Sequence, residues 1–282
     1  MRHLFLLLAC ALALGSVVGC ASEPSASLAG ARITGLAVDH IDLAFDVKID
    51  NPWMVPLPLA AATGSLKSAT VNPDAPFLEL ASSQSASVPA GGSLTVPLTG
   101  RLNILPLPAA LAGVRPGDEV PYTATLRLAL DRPGIGRMDL PDITHDGTLP
   151  ILAPPEVSVK SVSWPSLSLS RVAGSITLAV KNTNKFPLGP GTANGAITLK
   201  KQSFMRADKQ LSTLSASLPS AIGAGQTKDL DVSLSFNPRD LFEAQTWAGL
   251  LGALGDAGTL KASGTLDART PYAPVNLNFE SK

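Results

Sequence analysis

Asp139, Asp142, His145 and Asp146 form the one clustered set of side chains that could ligate a metal ion. Three carboxylates and an imidazole would suit a divalent cation. They lie in a Gly- and Pro-punctuated stretch after the last strand expected in the first half, and the second half has nothing like them. The alternative is a polar edge strand leading into an inter-domain loop. That reading is preferred, and no metal is expected. Asp42, Asp46 and Asp50 share a strand face, but residues four apart on a strand are separated by about 13 Å. Ligands of one calcium lie within about 2.6 Å of it, so these three read as a solvated charged face. The histidines are His3, His40 and His145, and no G-x-S-x-G, Walker or H-E-x-x-H pattern is present. Ser166, Ser168 and Ser170 read as solvated strand positions. Neither a catalytic centre, a cofactor nor a small-molecule substrate is expected.

The second chemically distinctive residue is Cys20. Arg2 and His3 precede an apolar run, Leu4 to Leu14, which is too short to span a bilayer of roughly 30 Å as a stable helix. It leads into Val17-Val18-Gly19-Cys20, which resembles the bacterial lipobox. The resemblance implies cleavage between Gly19 and Cys20 and lipidation of Cys20 on its sulfur and its new amino group. Two or three acyl chains, at about 0.8 kcal/mol per buried CH₂, hold a protein to a membrane essentially permanently. Cys10 would leave with the leader (residues 1–19), so no intramolecular disulfide is expected. Ala21 to Gly30 reads as a short flexible tether. By resemblance to lipoprotein sorting signals, Ala21 in place of Asp favours the periplasmic face of the outer membrane over the inner membrane of a bacterial cell.

The elements that must follow are strands. The 22 basic and 22 acidic residues balance, giving no electrostatic reason to expect nucleic acid. The 24 Pro and 24 Gly fall in short clusters between apolar runs, as turns do in an all-β chain. In Ile41 to Asn51 the odd positions are Ile, Leu, Phe, Val and Ile and the even ones mostly charged, the period of a half-buried strand. Ile176, Leu178 and Val180 repeat the pattern. Pairing Asn51 with Asn184 gives an offset of 133 residues, and three later landmarks keep nearly that spacing: Gly91 with Gly225, Asn103 with Asn237, and Leu130 with Leu266. The chain is read as a tandem duplication of antiparallel Ig- or fibronectin-III-like β-sandwiches, over residues 31–150 and 155–282. Each copy carries one late crossover helix, over Pro108 to Val114 and over Pro238 to about Leu254, the latter capped by Asn237.

Asn51-Pro52-Trp53 with Pro56-Leu57, and Asn182-Thr183-Asn184 with Phe186-Pro187-Leu188, resemble the WHy domain (water stress and hypersensitive response) of the group 2 late embryogenesis abundant proteins. Val88 to Gly92 and Ile222 to Gly225 support the likeness. The first copy departs at Trp53, where Asn or Tyr is common, and the second lacks Pro after its first Asn. The resemblance implies a folded, non-enzymatic β-sandwich associated with desiccation or stress tolerance. The motif residues Asn51, Pro52, Trp53, Asn182, Asn184 and Pro187 are read as structural. Asn hydrogen-bonds nearby main chain, and Pro ends strand pairing.

Two functions follow as expectations. One is a protective or scaffolding lipoprotein that binds envelope proteins. The other is a lipid-binding or lipid-transfer module with an apolar groove, lined by Leu105, Leu107, Leu111 and Val114 or by the helix carrying Phe242, Trp247, Leu250 and Leu251.

Overall fold

A computed structural model describes residues 22–68, 71–105, 111–202, 207–241, 252–254 and 256–281. The fold is all-β with antiparallel sheets. The first module contains β1 (Ser25–Leu36), β2 (His40–Asp50), β3 (Leu57–Lys67), β4 (Leu78–Ala81), β5 (Ser87–Val88), β6 (Ser93–Asn103), β7 (Glu119–Arg132), β8 (Gly136–Asp139) and β9 (Ile143–Pro150). The second contains β10 (Glu156–Leu167), β11 (Val172–Lys181), β12 (Gly191–Leu199), β13 (Lys209–Leu218), β14 (Thr227–Phe236), β15 (Leu260–Arg269) and β16 (Pro274–Glu280).

The two pairing schemes correspond apart from the short β5 and β8, which have no counterpart in the second module. β1-β2-β6 corresponds to β10-β11-β14, and β4-β3-β7-β9 to β13-β12-β15-β16. In the first module a single pairing, Ala81 with Thr99, joins the two layers into one sheet folded over on itself. Alternation sets which face of each strand is buried: Ile41, Leu43, Phe45, Val47 and Ile49 point inward from β2, as Ile176, Leu178 and Val180 do from β11. Burying each such side chain contributes roughly 1.5–3 kcal/mol. The buried apolar cluster extends through both modules and includes Ile151 and Leu152 of the linker.

The expected flexible tether is corrected by β1. From Ser25 onward this segment is an edge strand paired with β2, Ser25 opposite Asp50 and Leu36 opposite Ile41. Its small polar residues tolerate an edge position, where main-chain pairing rather than side-chain burial supplies most of the hold. Of the expected helices, residues 106–110 and 242–251 lie outside the described residues. The described flanks are a 3-10 turn at Pro238–Leu241 and helical residues 252–254. Asn237 accepts the N–H of Arg239 at 3.0 Å, as a cap would.

Candidate functional site

Asn51 leaves β2 directly into the loop to β3, with its side chain 2% exposed. Its Nδ2 donates to the carbonyls of Val55 at 2.8 Å and Pro89 at 3.0 Å, with that of Val88 at 3.5 Å. Its Oδ1 accepts the N–H of Trp53 at 3.0 Å. Asn182 repeats this pattern after β11. Nδ2 donates to Phe186 at 2.8 Å and to Ile222 and Gly223 at 3.1 Å, and Oδ1 accepts the N–H of Asn184 at 3.0 Å. A carboxamide is suited to this place because it presents two donors and an acceptor on a short stem. The partner turns match as well: Gly91 and Gly225 both hold positive φ, 62° and 68°, a conformation open to glycine.

These networks correct the repeat's register. Asn51 corresponds to Asn182, 131 positions on, rather than to Asn184, so Trp53 and Asn184 occupy one place. Each fastens the segment that enters its own module. The Trp53 indole N–H donates to the Ser22 carbonyl at 3.1 Å. Asn184 donates to the Ala153 carbonyl at 3.1 Å and accepts the Ala153 N–H at 2.8 Å. Ser22 and Ala153 each stand three residues before a first strand, β1 and β10.

In the second module this Asn-bearing end is covered by the opposite end of the first. The Lys185 N–H donates to the Gly117 carbonyl at 2.8 Å, and Lys185 Nζ lies 3.0 Å from Asp118. Gly117 has φ 94°, and a Cβ there would come within 2.7 Å of the Thr183 carbonyl, so the close approach requires glycine. The Arg115 N–H, and then Lys185, hold the Asp118 carboxyl below its ordinary range. Tyr272, in the β15–β16 turn, stands edge-on to Phe186 at 5.5 Å and donates its hydroxyl to Glu119. Burial, and then the Glu119 carboxylate, push the Tyr272 hydroxyl up to about 12.

The same end of the first module has no such cover among the described residues. Val55, the counterpart of Phe186, is 46% exposed where Phe186 is 2% exposed, and Met54 beside it is 88% exposed. Arg132 lies over the Trp53 ring at 4.4 Å, and Ile135, in the β7–β8 turn, is 70% exposed. Pro52 and Pro187 are both exposed within their loops.

The other candidates separate. Asp139 pairs with Arg137 at 2.9 Å, Asp142 with Arg127 at 3.2 Å, and Asp146 accepts from the Thr123 hydroxyl at 2.6 Å. His145 points to the opposite face of β9 and meets Phe45 edge-on at 6.1 Å. The structure therefore does not bring the four together: Asp139 ends β8, Asp142 lies in the β8–β9 turn, and alternation along β9 turns His145 away from Asp146. Asp42 makes a two-pronged pair with Arg101 at 2.6 and 2.8 Å, Asp46 pairs with Arg32, and Asp50 with Lys48. Gly19 and Cys20 lie outside the described residues. So do Leu107, Phe242, Trp247, Leu250 and Leu251. Of the other groove candidates, Leu111 is buried and Leu105 exposed. Between the sheets of the second module, a void lined by Val157, Leu178, Val180, Leu230, Leu266 and Phe279 measures about 10 Å³. That is barely one water and leaves no room for an acyl chain.

Comparison with known proteins bears on the first module. Residues 46–143 match the late embryogenesis abundant protein family (LEA_2). No curated protein matches the chain. Among solved structures, a late embryogenesis abundant protein is similar at 18% identity and TM-score 0.32, over 51% of this chain and 81% of its own. The CupB6 tip adhesin of Pseudomonas aeruginosa is similar at 11% identity and TM-score 0.27, over 92% of this chain and 98% of its own. Red sea bream transglutaminase is similar at 14% identity and TM-score 0.26, over 91% of this chain and 31% of its own. The family match begins within β2 and ends at the first residue of β9, so it spans the Asn51 network and its partner turn.

Sequence reasoning missed Ser22, Ala153, Tyr272, Glu119 and the exposed Met54, Val55 and Ile135. An apolar loop of the form Trp-Met-Val flanked by prolines was the available signal. Aligning the copies two residues differently would have exposed the contrast between Val55 and Phe186.

Proposed function

We propose that this chain is a non-enzymatic lipoprotein of the bacterial cell envelope, held by an acylated Cys20 and acting in desiccation or stress protection through binding. The observation that carries the protective reading is the match of residues 46–143 to the late embryogenesis abundant family. Support for the anchor comes from the Val17-Val18-Gly19-Cys20 sequence after an apolar run. In this reading the protein sits on the periplasmic face of the outer membrane, and its partners are envelope proteins. Two modules fixed end to end offer an extended, defined surface for such partners. The test is survival of drying and osmotic shock by cells lacking the chain, restored with wild type or with Cys20→Ser. Impaired survival rescued only by wild type supports the reading; unchanged survival of the deletion overturns the protective role.

A further inference from the structure

We propose that the Asn51 end of the first module rests on the bilayer surface, with Met54, Val55 and Ile135 dipping into the lipid interface beside Cys20. The proposal rests on the lipid-anchor reading above and adds to it a defined seat for the module.

Four features converge on this end. Ser25 of β1 pairs with Asp50 at the end of β2, Asp50 pairs with Ser93 at the start of β6, and Leu59 near the start of β3 pairs with Leu130 near the end of β7. The incoming chain, the Asn51–Leu57 loop, the Pro89–Gly92 turn and the Arg132–Gly136 turn therefore share one end of the sandwich. Ser22 is fixed there by Trp53. Two residues span at most about 7 Å, so the backbone of Cys20, from which the lipid chains would hang, lies within that distance of Ser22. The tether gives the module little freedom to stand away.

The chemistry of the end suits that neighbour. Residues 51–56 and 132–136 read Asn-Pro-Trp-Met-Val-Pro and Arg-Pro-Gly-Ile-Gly, with one cation and no carboxylate. Trp and Arg present apolar bodies with polar tips, the combination found where protein meets lipid headgroups. Carboxylates flank the end at Glu23, Asp50 and Asp131, Asp50 being paired with Lys48 and the others exposed. Asp50 and Asp131 each stand four residues before an apolar tip, at Met54 and Ile135, and mark the rim that stays in water.

The second module supplies the internal comparison. Its equivalent end is seated on the first module, with Phe186 buried and Tyr272 bonded to Glu119. This end of the module is thus a docking end, and the first copy's version faces the direction from which the anchor arrives.

The test uses the full acylated protein in vesicles of phosphatidylethanolamine and phosphatidylglycerol. Met54→Cys and, as a control on the second module, Leu169→Cys each provide a single thiol for an environment-sensitive fluorophore, since Cys20 is acylated and Cys10 removed. The intact mass is read first. Blue-shifted emission at position 54, lost when the lipids carry a quencher, with position 169 unaffected, is the expected result. Acylated protein whose label at 54 stays in water like that at 169 overturns the seat while leaving the anchor standing. A mass without acyl chains overturns both. A blue shift insensitive to lipid quencher, with doubled particle mass in detergent, assigns the end to a second copy and also overturns the proposal.

Discussion

Trp53 and Asn184 hold the same position in the two modules and perform one task with different groups. Each hydrogen-bonds the backbone three residues ahead of its module's first strand, Trp53 at Ser22 and Asn184 at Ala153. The larger indole suits an end that, among the described residues, no other module covers, and the carboxamide, buried and bonded twice to Ala153, suits one enclosed by a neighbour.

Replacing Trp53 by Phe keeps an aromatic ring for Arg132 to lie over, though a smaller one, and deletes the bond to Ser22. A hydrogen bond of this kind contributes about 1 kcal/mol, to which the smaller ring's lost packing adds. The sharper readout is hydrogen exchange, where amides of residues 22–28 lose protection while those of β10 keep theirs. Unchanged exchange at the start of β1 would show that strand pairing alone fixes the segment.

Asn51→Ala strips partners from part-buried main-chain groups of Val55, Pro89 and Trp53 and lowers stability by about 1–3 kcal/mol in urea unfolding. Asn51→Asp, though isosteric, sets a carboxylate against carbonyl oxygens and costs at least as much. The same two changes at Asn182 behave alike. A near-neutral result for either Asp variant would contradict the donor assignment.

These networks also show what could be read from residues alone. The alternation of Ile41 to Ile49 predicts β2 almost to its ends, because a half-buried strand imprints its period directly. The two Asn-containing loops stand out in the sequence, but how they correspond does not. Asn184 looks like the partner of Asn51 by residue type, while only the side-chain bonds identify Asn182. Residues 25–30 (Ser-Ala-Ser-Leu-Ala-Gly) lack a clear apolar period, because an edge strand is held by main-chain pairing to β2. Alternation along β9 sets His145 and Asp146 on opposite faces, while Asp139 and Asp142 stand before that strand begins, a separation that nearness in sequence conceals.

The chain has two tyrosines, Tyr122 and Tyr272, and burial raises both hydroxyls. Ultraviolet titration should therefore show both phenolates appearing later than a free tyrosine's, with Tyr272 ionising near 12. A group whose folded-state pKa is raised contributes stability that is complete below its unfolded value and is lost as pH rises through the folded one. For Tyr272 that window runs from about 10 to about 12. Tyr272→Phe should remove this alkaline loss. A phenolate signal near 10 from Tyr272 in the folded protein would refute the burial of its hydroxyl against Glu119 at the junction.

Asp118 and Asp42 have carboxyls held below their ordinary range, Asp118 first by the Arg115 N–H and Asp42 first by Arg101. Their stabilisation is present above the unfolded value of 3.8 and is lost as pH falls through the depressed folded values. Asp118→Asn should accordingly flatten the acid side of the stability profile and loosen the module junction in hydrogen exchange at 151–153. Asp42→Asn, on an exposed face, should change neutral-pH stability by less than about 1 kcal/mol.

The anchor is the claim on which the membrane-bound account turns, and intact mass together with labelled fatty acid tests it most directly. Wild-type protein from its own envelope should begin at Cys20, carry acyl chains and incorporate the label, while Cys20→Ser should incorporate none. Wild-type protein that begins elsewhere, or that carries no fatty acid, would contradict it.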